Sequence, residues 1–411
     1  MELKEGYKMT EVGEIPEDWN TPALEDVSQV IGGGTPSTQN KEFWNGAINW
    51  FTPSEIGKSK YVAESLRKIT EKGLRNSSAK LLPVGSVLLT TRATIGELAI
   101  TTEPSCTNQG FQSLVLRENV NLDFLYYVLC RRKNDFLRNA SGSTFLEISP
   151  QKVKKTKVPF PRTYCEQTAI ATTLSDIDTL IARTEKLIEK KRAIKQGMMQ
   201  QLLSPYDMEG RLKDGWIKKK FTEIVDYVHG KAHEQHIVDD GKFIVANSKF
   251  ISSDGEVKKY SNHSFLTAKS NDILTVLSDL PNGKALAKCY FVDCDNRYAV
   301  NQRICIWRSK GADPLFLYYL LNRHEYFLQL DDGVTQTHIL NGDIERFEID
   351  ILDNKNEQIR IGKIFKSIEN EMNSWVKYIG KLQSLKQSMM QSLLTGKIRI
   401  YKPEYEPATQ V

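Results

Sequence analysis

Residues 198–203 read Met-Met-Gln-Gln-Leu-Leu, and residues 389–394 read Met-Met-Gln-Ser-Leu-Leu, an offset of 191 positions. Working outward from that phrase, other pairs appear at nearly the same offset. Glu166-Gln167 returns as Glu357-Gln358, Gly142-x-Thr144 as Gly333-x-Thr335, Phe124-Leu-Tyr-Tyr127 as Phe316-Leu-Tyr-Tyr319, and Asn108-Gln109 as Asn301-Gln302. Trp19 and Trp216 mark the start of each copy more weakly. Solenoid repeats run to roughly 20–50 residues, so a period this long implies two domain-sized units.

Around each copy of the opening phrase a 4-3-4-3 spacing picks out mostly apolar residues. The first set is Ile170, Leu174, Ile177, Ile181, Thr184, Ile188, Lys191, Lys195, Met198 and Leu202. The second is Ile361, Phe365, Ile368, Met372, Trp375, Ile379, Leu382, Lys386, Met389 and Leu393. A seam sustained this long predicts a helix that buries one face on another helix. Because it occurs twice, the simplest partner of each helix is the other. The expected segments are a globular domain over 1–162, a long helix over 163–205, a second globular domain over 206–354, and a second helix with its tail over 355–411. Antiparallel pairing would give a pseudo-twofold molecule with a globular domain at each end of a rod roughly 50 Å long. The alternative is a plain dimerisation hairpin.

Within the globular parts, Ser86–Arg92, Gly110–Leu116 and Ala299–Ile306 are rich in β-branched and aromatic residues and read as strands. Residues 123–139 and 314–330 read as short helices. The expected class is α+β, with two mixed α/β domains separated by the helix pair. The apolar stretches fall short of the roughly 18 residues a span needs, and residues 1–19 contain no apolar signal core, so a cytoplasmic chain without a membrane partner is expected. Six scattered cysteines contain no CxxC and read as reduced thiols. A net charge of +5 leans mildly towards an anionic partner.

The order of the phrases IGGGTPST, NWFTPSEIG, LLTTRATIGELAI and TNQGFQSL, with the ending LLTGKIRI, resembles the specificity subunits of Type I restriction–modification systems across essentially the whole chain. The resemblance implies two target-recognition domains that bind double-stranded DNA and read a bipartite, asymmetric site. It implies helices that dock two methyltransferase subunits, through which nuclease-translocase subunits join. S-adenosylmethionine, ATP and Mg would then belong to those partners, with no cofactor on this chain. Two other readings compete: a coiled-coil interaction scaffold without DNA specificity, and a reader fused to its own methyltransferase or nuclease activity.

Catalytic motifs are missing from the sequence. It contains no Pro-Pro for an adenine methyltransferase loop. Gly57-Lys58-Ser59 lacks the P-loop's first glycine, since Thr52 stands there, and Gly32-Gly33-Gly34 fails as GxGxxG at Ser37. No catalytic or metal site is therefore expected. His229, His233 and His236 would share a helical face, but Gly230 suggests a loop. The basic run Arg183–Lys195 reads either as a solvated face or as lying near phosphates. Lys152, Lys154 and Lys155, with Lys152 and Lys154 on one strand face opposite Val153, suit phosphate contact. For base reading the candidates are Thr91, Arg92, Asn108 and Gln109 in the first domain, and Asn247, Lys249, Gln302 and Arg303 in the second. Arginine can take guanine, and Asn or Gln can take adenine. The Asn-Gln pairs persist in both copies, which equally suits a structural role.

Overall fold

The computed structural model of the chain describes residues 3–142, 146–280 and 285–400. Thr144 of the repeated Gly-x-Thr phrase, and residues 401–411 of the expected tail, lie outside the described residues. The backbone gathers into two compact units, 1–185 with 377–411 and 186–376. The units cut across the segments expected from sequence, because each contains a globular part and a portion of both long helices. Those helices are Tyr164–Leu202 and Lys355–Leu393, 39 residues each. Ser204-Pro205 follows the first, and Gly396 at a φ of 70° follows the second. Proline without its N–H and glycine in the left-handed region are two ordinary ways of stopping a helix.

In the first unit the main sheet runs Ser28–Gly32, Phe111–Leu116, Val87–Thr90, Leu98–Thr101 and Tyr61–Val62. A second sheet sets Trp44–Phe51 between Arg67–Ile69 and Ser105–Thr107, pairing in parallel with the latter. The second unit repeats the plan. Its main sheet runs Val225–His229, Ile304–Ser309, Ile273–Val276 and Cys289–Phe291, and in its second sheet Phe243–Ala246 lies parallel to Tyr298–Val300. The segment Ala299–Ile306 is thus not one strand. It leaves one sheet, turns through Asn301–Arg303 and enters the other. The expected short helices are also broken: Leu122–Arg131 is followed by Lys133–Asn139, and Pro314–Leu321 by Glu325–Leu328.

All twenty seam residues are buried or half-buried. In the first unit Leu393 and Met389 join Ile170 and Leu174 in one apolar core, and in the second Met198 and Leu202 join Ile361 and Phe365. Within the second unit, Lys191 pairs with Glu371 at 2.8 Å and Lys195 with Glu369 at 2.5 Å. The residue number rises on one helix as it falls on the other, so the packing is antiparallel. The same direction holds in the first unit, where Lys386 meets Asp178 at 2.6 Å and Arg399, past the helix end, meets Glu166 at 2.5 Å. Two side chains of the basic run, Lys191 and Lys195, are thereby used in helix pairing.

The repeated phrases now have physical reasons. Tyr127 donates its hydroxyl to Asp178 at 2.7 Å, and Lys386 from the other helix closes on the same carboxylate. Tyr319 donates to Glu369 at 2.8 Å, and Lys195 closes on it in turn. Tyrosine, carboxylate and lysine stand at matching positions in both units, so the FLYY phrase persists because its last tyrosine clamps the helix pair. Gln167 and Gln358 are buried at the helix starts. Gln167 accepts from the Asn121 N–H at 2.9 Å, and Gln358 from the Asp313 N–H at 2.7 Å. Asn121 and Asp313 each cap the FLYY helix, so one glutamine ties two helices together.

Candidate nucleic-acid interface

In each unit the chain passes between its two sheets through an Asn-Gln turn: Asn108–Gly110 in the first, Asn301–Arg303 in the second. The segment leaving the neighbouring strand crosses this turn at a glycine. A Cβ on Gly33 would lie 2.0 Å from the Asn108 carbonyl oxygen, and one on Gly230 would lie 2.0 Å from the Asn301 carbonyl oxygen. No side chain fits there, so both crossings demand glycine.

Asn108 Oδ1 accepts the Gly110 N–H at 2.9 Å. Asn301 Oδ1 accepts the Gln302 N–H at 2.6 Å, while its Nδ2 donates to Glu234 at 3.2 Å. The asparagine amides therefore hold the turns, which accounts for their presence in both copies. The glutamines beside them are exposed. Gln109 Oε1 accepts the Thr35 hydroxyl at 2.5 Å, and Gln302 Nε2 donates to Glu234 at 2.7 Å. Burial works against the charge of Glu234, but the hydrogen bonds from Gln302 and Asn301 outweigh it and hold its carboxyl below the ordinary range.

Other candidates separate by exposure. Thr91 is 1% exposed and its backbone bonds to Gly110 and Ile148, so it cannot reach a base. Arg92 is exposed and paired with Glu147 at 2.7 Å. Asn247 accepts the Phe250 N–H at 2.9 Å as the cap of the short helix Ser248–Ser252, which occupies its carbonyl oxygen. Lys249 on that helix and Arg303 on the turn are exposed, and both line a cavity of about 220 Å³ with Asn247, Lys259 and Glu234.

Lys152 and Lys154 do not lie on a strand. They belong to the short helix Pro150–Lys154, which Ser149 caps through the Lys152 N–H while Val153 is buried. Lys152 donates to the Asn139 carbonyl at 2.8 Å, Lys154 is half-buried and Lys155 is exposed. This helix lines a separate cavity of about 340 Å³ with Glu11, Arg132 and Asp135, so the surface carries both signs of charge. The three histidines share no helix. His229 ends a strand against Asn341 at 2.6 Å, His233 is buried with Nδ1 on the Lys231 carbonyl at 2.6 Å, and the His236 ring lies tilted against that of His263.

The family model for the type I restriction modification DNA specificity domain matches this chain twice, at residues 16–191 and 213–386. The chain belongs to the type I restriction–modification specificity family. It is 30% identical over 302 residues to the MjaIX specificity subunit of Methanocaldococcus jannaschii, covering 65% of this chain and 70% of that one. To the EcoR124I/EcoR124II specificity subunit of Escherichia coli it is 33% identical over 175 residues, 41% and 42% of the two chains. The fold resembles the S subunit of a type I system from M. genitalium, with a TM-score of 0.61 at 16% identity over 96% and 98% of the chains. A chain solved in work on the assembly of the type I R-M system matches with a TM-score of 0.57 at 17% identity, over 93% and 99%.

As a specificity subunit the chain is non-catalytic and supplies DNA recognition to the complex. Its two units share the scaffold and differ where side chains emerge. Phe51 pairs with Thr107, and Ala246 with Val300, at the ends of equivalent parallel strands. The residues that follow are Thr52-Pro53-Ser54 in one specificity domain and Asn247-Ser248-Lys249 in the other. Sequence reasoning missed Glu234, Lys259 and the two crossing glycines. Only the glycines left a signal, since Gly33 and Gly230 stand at similar distances ahead of the Asn-Gln pairs.

Proposed function

We propose that each unit reads one half of a bipartite, asymmetric DNA site, and that the long helices seat two methyltransferase subunits. Nuclease-translocase subunits then join through the assembled complex. The observation that carries this reading is one scaffold written twice around turns that differ, Asn-Gln followed by buried Gly110 in one and by exposed Arg303 in the other. Two readers built alike and faced differently suit two different half-sites, while lysines such as Lys155 and Lys249 suit sequence-independent phosphate contact. Ile194 and Leu385, 191 positions apart on the two helices, are both exposed, which supports two equivalent docking faces. S-adenosylmethionine, ATP and Mg would be held by the partners, and the complex would work in the cytoplasm; no described helix is long and apolar enough to cross a membrane.

The test is to map methylated adenines in cells with and without the gene, and after exchanging residues 20–150 for those of another specificity subunit. A bipartite motif lost on deletion and altered in one half on exchange is expected. Two halves changing together would overturn the modular reading.

A further inference from the structure

We infer that Arg303 fixes one base of the half-site read by the second unit, and that this base is guanine. The inference rests on the DNA-reading role proposed above. The Leu277 N–H donates to the Arg303 carbonyl at 3.0 Å, as the Thr91 N–H donates to the Gly110 carbonyl at 2.7 Å. Arg303 and Gly110 therefore occupy one place in two copies of one turn. In the second unit Asn301 and Glu234 brace that turn, so the arginine springs from a fixed backbone. Its side chain is exposed and, among the described residues, has no hydrogen-bond or ion partner, whereas Arg92 is held by Glu147.

A phosphate contact would not require the two turns to differ, because both halves meet the same sugar-phosphate backbone. A base contact does require it. Lys249 and Lys259 line the cavity beside Arg303 and supply point charges for phosphates on either side. The guanidinium adds a planar pair of donors that matches O6 and N7 of guanine in the major groove. The first unit cannot make the same contact. A Cβ on Gly110 would lie 2.9 Å from the Pro53 ring and 3.0 Å from Asn108 Oδ1, so the place that Arg303 fills has no side chain in the first unit, and that turn exposes Gln109 instead.

The experiment maps the methylated motif produced by the assembled complex carrying Arg303→Ala, Arg303→Lys or Lys249→Ala, after checking that each variant unfolds at the wild-type temperature. Arg303→Ala should relax a single guanine position in one half-site, lowering discrimination there by about ten- to a hundred-fold, with the other half unchanged. Arg303→Lys, which keeps the charge without the planar fork, should relax the same position. Lys249→Ala should weaken methylation evenly over all sites. An even loss with Arg303→Ala, or an unchanged motif, overturns the assignment of Arg303 alone. Absence of any gene-dependent bipartite motif overturns the DNA-reading proposal and this inference with it.

Discussion

Glu166 and Glu357 open the two long helices from equivalent positions, each beside a buried glutamine, yet they live in different surroundings. Glu166 is 3% exposed, accepts the Trp19 indole N–H at 3.2 Å, and is gripped by Arg399, which also holds Asp18. Glu357 pairs with Arg360 at the surface. The repeated glutamate thus serves a buried ion pair in one unit and a solvated one in the other. Identity of sequence between the copies marks a shared position, and the environment decides what the residue does there.

The largest expected effect tests that contrast. Arg399→Ala leaves a buried carboxylate without its partner and should destabilise the first unit by about 3 kcal/mol in thermal or urea unfolding. Arg360→Ala should leave the unfolding midpoint unchanged, since exposed pairs contribute little. The pH dependence follows from burial, which pushes the Glu166 carboxyl above its usual value in spite of Arg399. With the folded value above the unfolded one, the penalty falls on the charged form and grows as pH rises through the folded value. The Arg399→Ala deficit should therefore be smaller near pH 4 than at pH 7, and adding Glu166→Gln should recover part of it. Equal deficits at both pH values would break the argument.

Where the units agree, damage should be equal. Gly33→Ala and Gly230→Ala each force a Cβ into a carbonyl oxygen and should cost about 1–3 kcal/mol, with the half-site of the affected unit read poorly. Harm at one glycine only would show that the two crossings are not equivalent. Tyr127→Phe and Tyr319→Phe each remove a hydrogen bond to a carboxylate, and each should lower stability by about 1.5 kcal/mol in chemical denaturation. Smallest of all, Lys155→Ala and Lys249→Ala should each reduce the slope of log affinity against log salt by about one, with no change in the motif.

The doubled architecture was legible because its signals are positional: a seam at helical spacing and phrases at one offset need only the chain itself. The seam extended even to Lys195 and Lys386, whose reason appeared only when the tyrosines and carboxylates came into contact. The interface was less legible because polarity does not encode exposure. Thr91 and Asn108 look like hydrogen-bonding candidates, yet one is buried just past the end of the strand Val87–Thr90 and the other closes its own turn. Lys152 and Lys154 alternate as a strand would, but Ser149-Pro150 ahead of them is a helix start, a serine cap followed by proline at the first position. The contact between Glu234 and Gln302 joins residues 68 apart, beyond the reach of any local pattern.

The tyrosine–carboxylate–lysine clamp has a consequence for inheritance. After a gene duplicates, each copy already contains a tyrosine and carboxylate for its own helix and a lysine for the other's, so the fused protein begins with two working locks and no new residue to acquire. Drift at the exposed turns leaves both locks untouched. A charge swap between Asp178 and Lys386 would not be neutral, because Tyr127 would then face an ammonium that cannot accept its proton. The lock has a polarity, and selection can diversify the readers quickly while that polarity stays fixed.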